Sequence, residues 1–161
     1  MLTCTFFGHH DCPEAIKPKL REVLIDLVEN HSVTLFYVGN KGAFDRMVRA
    51  VLRDLKREYP GIDYAVVLER LPVKPDGDGS DTLLLEGIET VPPRFAIPWR
   101  NRWMLNRADF VVTYVTHGWG GAAQFHDLAL RRNKTVINLA ELEAAKAQLM
   151  KLQSEMEQMS E

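Results

Sequence analysis

The chain lacks three features that would place it in a special class of protein. It has only two cysteines in 161 residues, too few for a disulfide framework. No apolar run approaches the roughly 18 residues that a membrane-spanning helix needs. Neither sign of charge is in large excess. The formal net charge is −2, which gives no general attraction to nucleic acid. We therefore expect a soluble, cytoplasmic protein with an ordinary hydrophobic core and no membrane partner.

The sequence does contain one pattern three times: an apolar, β-rich run, then a turn with glycine, then a helical pattern. Fully apolar runs are typical of parallel strands buried on both faces, and the turns after such strands share one edge of the sheet. Open α/β sheets bind ligands at that edge, where glycine lets the backbone approach a phosphate. The turn residues predicted to bind a nucleotide-like ligand are Gly8, His9, His10, Gly39, Asn40, Lys41, Gly42, Gly118, Trp119, Gly120 and Gly121.

Alternating strand and helix patterns predict the fold class. The predicted strands cover residues 2–7, 33–38, 64–68, 109–115 and 135–139. Strands that alternate with helices form a doubly wound sheet with right-handed crossovers. The prediction is a three-layer α/β, Rossmann-like fold with a mainly parallel five-stranded sheet and a C-terminal helix. A nucleotide-binding domain covers residues 1–140, and an amphipathic helix covers 141–161.

Residues 70–93 interrupt this rhythm with prolines, glycines and aspartates, and contain a short apolar insert at residues 83–85. A connection of this length inside a compact domain is usually functional or mobile. A helical pattern returns over residues 94–107.

The C-terminal segment has a seam with a heptad-like pattern. Its apolar residues are spaced alternately by three and four positions: Leu142, Ala145, Leu149, Leu152, Met156 and Met159. So short a helix is marginal alone in water, so its stripe must be buried against the domain or a second subunit. Residues 141–161 carry five Glu and two Lys, which suits an arginine-rich neighbouring surface. We predict a homodimer to which this helix contributes.

The segment before the fourth predicted strand is rich in arginine and tryptophan. Arginine forks match phosphate, and tryptophan stacks on a base or a guanidinium. Trp99, Arg100 and Arg102 are therefore predicted to contact the ligand. The alternative is a solvated arginine face beside core tryptophans.

These motifs resemble the superfamily that joins the DNA-processing protein A fold with the Lonely Guy phosphoribohydrolases, often called SLOG. Within it, the chain is most similar to a small bacterial and phage branch, and the similarity spans about residues 2–140. The strings that carry the resemblance are FFGH at residues 6–9, YVGNKGAFD at 37–45, VPPRFAI at 91–97 and WRNRWM at 99–104.

The resemblance implies a Rossmann-like sheet that binds nucleotides, and an N-glycosidic cleavage in the Lonely Guy enzymes. Arg100, Met104 and the pair Ala108-Asp109 match the spacing of residues those enzymes use. Their catalytic glutamate falls on Gln124, or on Phe125 if the alignment slips by one residue. Neither side chain is a carboxylate, so the chain's binding residues carry over better than its catalysis.

The leading interpretation is therefore a nucleotide-binding ligand sensor or weak nucleotide-processing protein. One alternative is an active hydrolase in which Asp45, Glu86 or Glu89 replaces the glutamate; Asp45 otherwise holds ribose hydroxyls or caps its helix. The other is a single-stranded nucleic-acid-binding module, which the overall charge does not favour. We predict no metal, because the adjacent residues 9–12 do not readily converge on one ion, and no cofactor.

Overall fold

The computed structural model describes residues 2–70 and 82–160, and this part of the chain contains six strands and five helices. The strands are β1 (Leu2–Gly8), β2 (Val33–Val38), β3 (Asp63–Leu68), β4 (Thr82–Leu84), β5 (Phe110–Tyr114) and β6 (Thr135–Asn138). The helices are α1 (Lys17–Asn30), α2 (Gly42–Glu58), α3 (Pro93–Arg107), α4 (Gly121–Arg131) and α5 (Leu139–Met159). Of the predicted connection over residues 70–93, positions 71–81 lie outside the described residues.

The sheet has six strands, and the prediction of five was wrong. Its order is β4-β3-β2-β1-β5-β6, and every neighbouring pair is parallel. The missed strand is β4, which pairs with β3 from Val66↔Thr82 to Leu68↔Leu84. Three residues at the edge of a sheet are too few for an alternating pattern to appear in the sequence. The predicted α/β class is confirmed.

The strand order places a topological switch point between β1 and β5. From β1 the chain builds outward through β2, β3 and β4, then returns through α3 to lay β5 on the other side of β1. The turns after β1 and β5 consequently diverge and leave a crevice at the carboxyl edge of the sheet. In open α/β sheets such a crevice is the usual place for a ligand.

Two helical layers cover the sheet and bury consecutive residues of β1 on opposite faces. Phe6 packs on Phe36 in the layer formed by α1 and α2, with ring centroids 6.2 Å apart. Phe7 faces the layer formed by α3 and α4 and stacks on Phe125 at 5.3 Å. The alternation follows from the two-residue repeat of a strand. It makes β1 rigid on both sides, directly before the turn that begins at Gly8.

The C-terminal helix packs on the domain only through its beginning. The side chain of Asn138 caps α5 by accepting a hydrogen bond from the backbone N–H of Ala140 at 3.2 Å, and Leu139 is fully buried. From Leu142 onward the apolar seam is exposed, with exposures between 38% at Leu142 and 86% at Met159. None of the helices within residues 2–70 and 82–160 combines the length and apolar composition that a membrane crossing requires.

Candidate functional site

A cavity of about 300 Å³ opens at the switch point between β1 and β5. Nine of the residues predicted from sequence contribute to its lining: Gly8, His9, His10, Lys41, Asp45, Arg100, Trp119, Gly120 and Gly121. Met104, which matches the Lonely Guy spacing, lines it as well, and so do Ile97, Asn101 and Ala122, to which the sequence assigned no site role. The cavity therefore draws on the turns after β1, β2 and β5 and on one side of α3.

Other predicted residues lie outside this lining. Gly39, Asn40 and Gly42 form the turn behind it, and Gly118 belongs to the turn after β5 without lining the cavity. The remaining residues lie on helices. Trp99 packs against the core beneath α3, whereas Arg102 and Gln124 are exposed outside the cavity.

Three aromatic rings form a continuous stack on one wall. The ring of His117 lies between His9 and Trp119, with centroid distances of 3.8 Å on each side and interplanar angles of 13° and 15°. The outermost ring, Trp119, is 72% exposed, which is unusual for an indole. The stack holds a flat, solvent-facing aromatic surface at the mouth of the cavity, of the kind on which a nucleobase stacks.

The inner ring of the stack is fixed by the backbone of the turn after β5. Nε2 of His9 accepts a hydrogen bond from the backbone N–H of Thr116 at 3.0 Å. That nitrogen therefore carries no proton, and His9 is neutral. Burial lowers the pKa of His9, and the neighbouring His117 lowers it further. The inner ring acts as a support for the stack and adds no charge to the cavity.

Arg100 is almost completely buried, at 2% exposure, and most of its hydrogen bonds are internal. Its Nη1 donates to the side chain of Asn40 at 2.7 Å and approaches the carbonyl oxygen of Val67 at 3.5 Å. Its Nε and Nη2 donate to the side chain of Asn101 at 3.3 and 3.2 Å. The guanidinium thus joins α3 to β3 and to the turn after β2. Its charge reaches the cavity, but few of its donors remain for a ligand.

Asp45 is the buried carboxylate of the cavity. One of its oxygens accepts the backbone N–H of Lys41 at 3.1 Å. Burial raises the pKa of Asp45 to about 6, and the charge of Arg100 opposes this rise only in part. The group is therefore ionised at neutral pH and within reach of protonation at slightly acidic pH, as general acids and bases require.

Glu69, the first residue after β3, is a part of this network that sequence reasoning missed. Its carboxylate is 6% exposed and forms ion pairs with Lys41 at 3.1 Å, Arg70 at 3.6 Å and Arg100 at 3.6 Å. Although burial opposes ionisation, backbone hydrogen bonding and the charges of Lys41 and Arg100 keep the pKa of Glu69 below its usual range. The signal for Glu69 in the sequence is a charged residue directly after a buried strand.

The turn after β5 is open. A Cβ atom built at Gly118, Gly120 or Gly121 would have no heavy atom within 4 Å. Gly120 also has a φ of +93°, which side chains rarely adopt, and as the N-cap of α4 it provides no capping side chain. The first N–H groups of α4 therefore have no side-chain acceptor at the N-cap, and Gly120, Gly121 and Ala122 at this helix start line the cavity. Backbone donors at a helix N-terminus match an anion.

A second cavity of about 420 Å³ adjoins the first, and Lys41 and Ile97 line both. Glu89, one of the carboxylates considered as a replacement for the missing glutamate, lines this second cavity. Glu86 is exposed and lines neither. Asp45 is thus the only one of the three considered carboxylates that lines the cavity at the switch point.

No cluster of three or more metal-binding side chains occurs within residues 2–70 and 82–160. His9 and His10 differ in burial, since His9 is buried in the stack and His10 is exposed beside Gly42. Cys12 is buried in the core between the sheet and α1.

Comparisons with known proteins add a fold relationship. No protein-family model matches the chain. No curated protein matches it by sequence. Among solved structures, it is similar to DNA processing protein A from Streptococcus pneumoniae, with a TM-score of 0.63 and 16% identity. The alignment covers 84% of this chain but only 49% of that protein, so the chain spans about half of its neighbour's length. At this identity the similarity establishes the α/β fold alone.

Proposed function

We propose that this chain binds a nucleotide or nucleotide derivative in the cavity at the switch point. The observation that carries the proposal is the pairing of an open glycine turn with an exposed ring stack. The phosphate would lie against the backbone of Gly120 and Gly121, where no side chain intrudes. The base would stack on Trp119, whose ring is 72% exposed. Both features lie at the edge where open α/β sheets bind ligands.

The site offers a small anion backbone donors and little net side-chain charge. Lys41 and Arg100 are the lining cations, and both are compensated by the buried Glu69. Asp11 and Asp45 also line the cavity, so the side-chain charges nearly balance, and the attraction for a phosphate comes mainly from the backbone N–H groups at the start of α4. Such a site suits one or two phosphates in a defined position better than a long polyanion.

Calorimetric titration with a panel of nucleoside monophosphates tests the proposal. Gly121→Val is the informative variant, because Gly121 has an ordinary φ and open space where the phosphate would lie. We expect the wild type to bind nucleoside monophosphates and Gly121→Val to bind them at least about tenfold more weakly. The free energy of unfolding of the variant should stay within about 0.5 kcal/mol of the wild-type value. Gly120→Val is less suitable, because the positive φ of Gly120 would add backbone strain.

Gly61→Val is the matched control. Gly61 has open space and an ordinary φ as well, but it lies between α2 and β3, away from the cavity. This variant should bind as the wild type does. Equal affinities of the Gly121 and Gly61 variants would contradict the placement of the phosphate at the turn after β5.

A second candidate function, hydrolysis of the N-glycosidic bond of a nucleotide, is favoured by Asp45. Its carboxylate lies in the cavity with a pKa of about 6, whereas Gln124, at the position of the family's glutamate, is exposed outside it. A carboxylate is required to stabilise a positively charged sugar intermediate or to move a proton. Asp45 would fill that role in the place of Gln124.

Chromatographic detection of free base separates the two functions. A sensor binds nucleoside monophosphates and releases no base over hours. A hydrolase releases base, and Asp45→Asn abolishes the release while leaving the calorimetric affinity within about threefold. Release that persists in the Asp45 variant would assign the chemistry to another group.

A nucleic-acid-binding function has less support. Of the arginines on α3, Arg100 is buried and Arg107 lies over the ring of Trp103 at 3.7 Å. Arg94 and Arg102 are exposed but eight residues apart, so α3 presents no continuous basic surface. The SLOG family assignment itself is part of this proposal: it rests on the sequence strings described above and agrees with the fold of DNA processing protein A.

A further inference from the structure

The seam of α5 is an apolar feature that the described part of the domain leaves uncovered. Within α5, Leu142, Leu149, Leu152, Met156 and Met159 are between 38% and 86% exposed. An isolated soluble helix rarely exposes so many large apolar side chains in one stripe. The strict alternation of three and four residues is narrower than the stripe of a helix that packs on a domain, and it is typical of a helix that packs on another helix.

The domain itself does not block this seam. Leu139, Ala140 and Glu143 are the α5 residues that face the domain, as their burial shows. At 100° per residue, the centre of the seam is rotated by roughly 150° from that side. A partner helix therefore has access along the whole seam. Leu142, the seam residue nearest to the domain, is also its least exposed large side chain, at 38%.

The charges beside the seam identify the partner and its direction. With Leu142, Leu149 and Met156 at heptad position a, the g positions hold Glu141, Gln148 and Glu155. The e positions hold Lys146, Gln153 and Ser160. The g flank therefore carries two glutamates and no base, and the e flank carries Lys146 and no acid. A helix with this asymmetry is complementary to a copy of itself.

We propose that two copies of this chain pair through α5 as a parallel, in-register coiled coil. In a parallel pair each g flank meets the partner's e flank, so Glu141 contacts the partner's Lys146, twice by symmetry. In an antiparallel pair each g flank meets the partner's g flank, which brings the acidic residues Glu141 and Glu155 of both helices together. The parallel arrangement also places both domains at the same end of the pair.

Disulfide trapping with two cysteine variants tests the direction. Met156→Cys is at position a near the end of α5, and the Met156 side chain is 69% exposed, so the substitution leaves the domain intact. In the parallel pair the two introduced thiols face each other and oxidise to a covalent dimer. In the antiparallel pair they would be about 16 Å apart along the axis, beyond the Cα separation of about 7 Å that a disulfide spans. The native Cys4 and Cys12 are 0% and 6% exposed and serve as the background control.

The antiparallel arrangement has its own signature. It would place Ala145 beside the partner's Met156, so a mixture of Ala145→Cys and a size-tagged Met156→Cys would give mixed disulfides. We expect disulfides to form rapidly between two chains of the same variant. Disulfides between an Ala145→Cys chain and a Met156→Cys chain should not exceed the level that random exchange produces. Predominant mixed disulfides would overturn the direction. A full-length chain that light scattering shows to be monomeric up to near-millimolar concentration would overturn the pairing.

A charge reversal tests the flank contacts independently. Lys146→Glu should weaken the dimer by about tenfold at low salt, since it turns two attractive contacts into repulsive ones. The double variant Glu141→Lys with Lys146→Glu should restore it. Truncation after Ala140 keeps Leu139 in the core and removes the seam, so it should give a monomer that still folds. A dimer that persists after this truncation would place the interface elsewhere.

Discussion

The glycines after β1 and β2 are equivalent in sequence to those after β5, but their surroundings are opposite. A Cβ at Gly8 would lie 2.3 Å from the ring of Phe44, and one at Gly39 would lie 2.6 Å from the carboxylate of Asp45. A Cβ at Gly42 would lie 2.4 Å from the ring of His10. At Gly118, Gly120 and Gly121 there is nothing within 4 Å. Gly8 and Gly39 are required by packing inside the protein, and Gly42 by its φ of +86° beside the exposed His10, whereas the second set leaves room for another molecule.

This difference divides the edge of the sheet into two halves. The closed half consists of the turns after β1 and β2, where buried side chains such as Arg100 and Asp45 contact the backbone and hold the elements together. The open half is the turn after β5, where no side chain covers the backbone beside the exposed indole of Trp119. If this division is right, the closed half is required for stability and the open half for binding.

The largest effect is expected at the closed half, for Gly8→Ala. The added methyl group overlaps the fully buried ring of Phe44, which α2 and the sheet hold in place. We expect a loss of at least about 3 kcal/mol in the free energy of unfolding, measured by urea denaturation. The same substitution at Gly118, at the open half, should cost less than about 1 kcal/mol. Similar losses at both positions would remove the distinction between the two turns.

Asp45→Asn tests the buried charge of the closed half. The folded-state pKa of about 6 lies above the ordinary value of 3.8, so folding favours the protonated carboxyl. This contribution is fully present below pH 4 and is lost as the pH rises to about 6, which costs up to about 3 kcal/mol. The asparagine variant should therefore match or exceed the wild-type stability at pH 7.

Urea denaturation between pH 4 and pH 8 measures this effect. The difference in unfolding free energy between the variant and the wild type should grow from pH 4 to pH 6 and then stay level. A difference independent of pH would mean that Asp45 ionises in the folded protein as it does in water.

The strands and turns could be predicted from sequence because their signals are local. The apolar runs at β1, β2 and β5 need burial on both faces whatever surrounds them, and a glycine after such a run identifies the edge of the sheet. The same reasoning missed β4, because three residues at an edge carry no pattern. It also treated all three turns alike, because a glycine has no side chain that would reveal what approaches it.

The roles of charged residues were harder to predict for a different reason. The sequence shows that Arg100 is near the edge, but not that Asn40 and Asn101 occupy its donors. Glu69 escaped notice because one acidic residue after a strand is usually solvated. Whether a charge is available to a ligand depends on contacts between residues about 30 to 60 positions apart, and no local pattern records these.

At the open half, Trp119→Ala should weaken nucleotide binding without changing stability. The indole is 72% exposed and contacts mainly His117 within the stack, so its removal costs the fold little. Stacking of a base on an aromatic ring contributes about 1–3 kcal/mol, which corresponds to a loss of about five- to 150-fold in affinity. Calorimetry should show a partial rescue in Trp119→Phe. Full affinity in the alanine variant would place the base away from the stack.

The smallest effect is expected for Gln124→Glu, which places a carboxylate where the proposed resemblance to the Lonely Guy enzymes aligns their catalytic glutamate. Gln124 is exposed on α4 and does not line the cavity, although Ala122 one half-turn earlier does. The alternative alignment offers no better position, because Phe125 is 2% exposed and packs on Phe7. A glutamate at 124 would therefore face solvent, where its charge is screened and cannot reach a sugar bound beside Gly121. We expect base release from nucleoside monophosphates to stay within about twofold of the wild type, measured by chromatography. New base release in this variant, absent from Gln124→Asn, would show that α4 turns this position toward the ligand when the nucleotide binds.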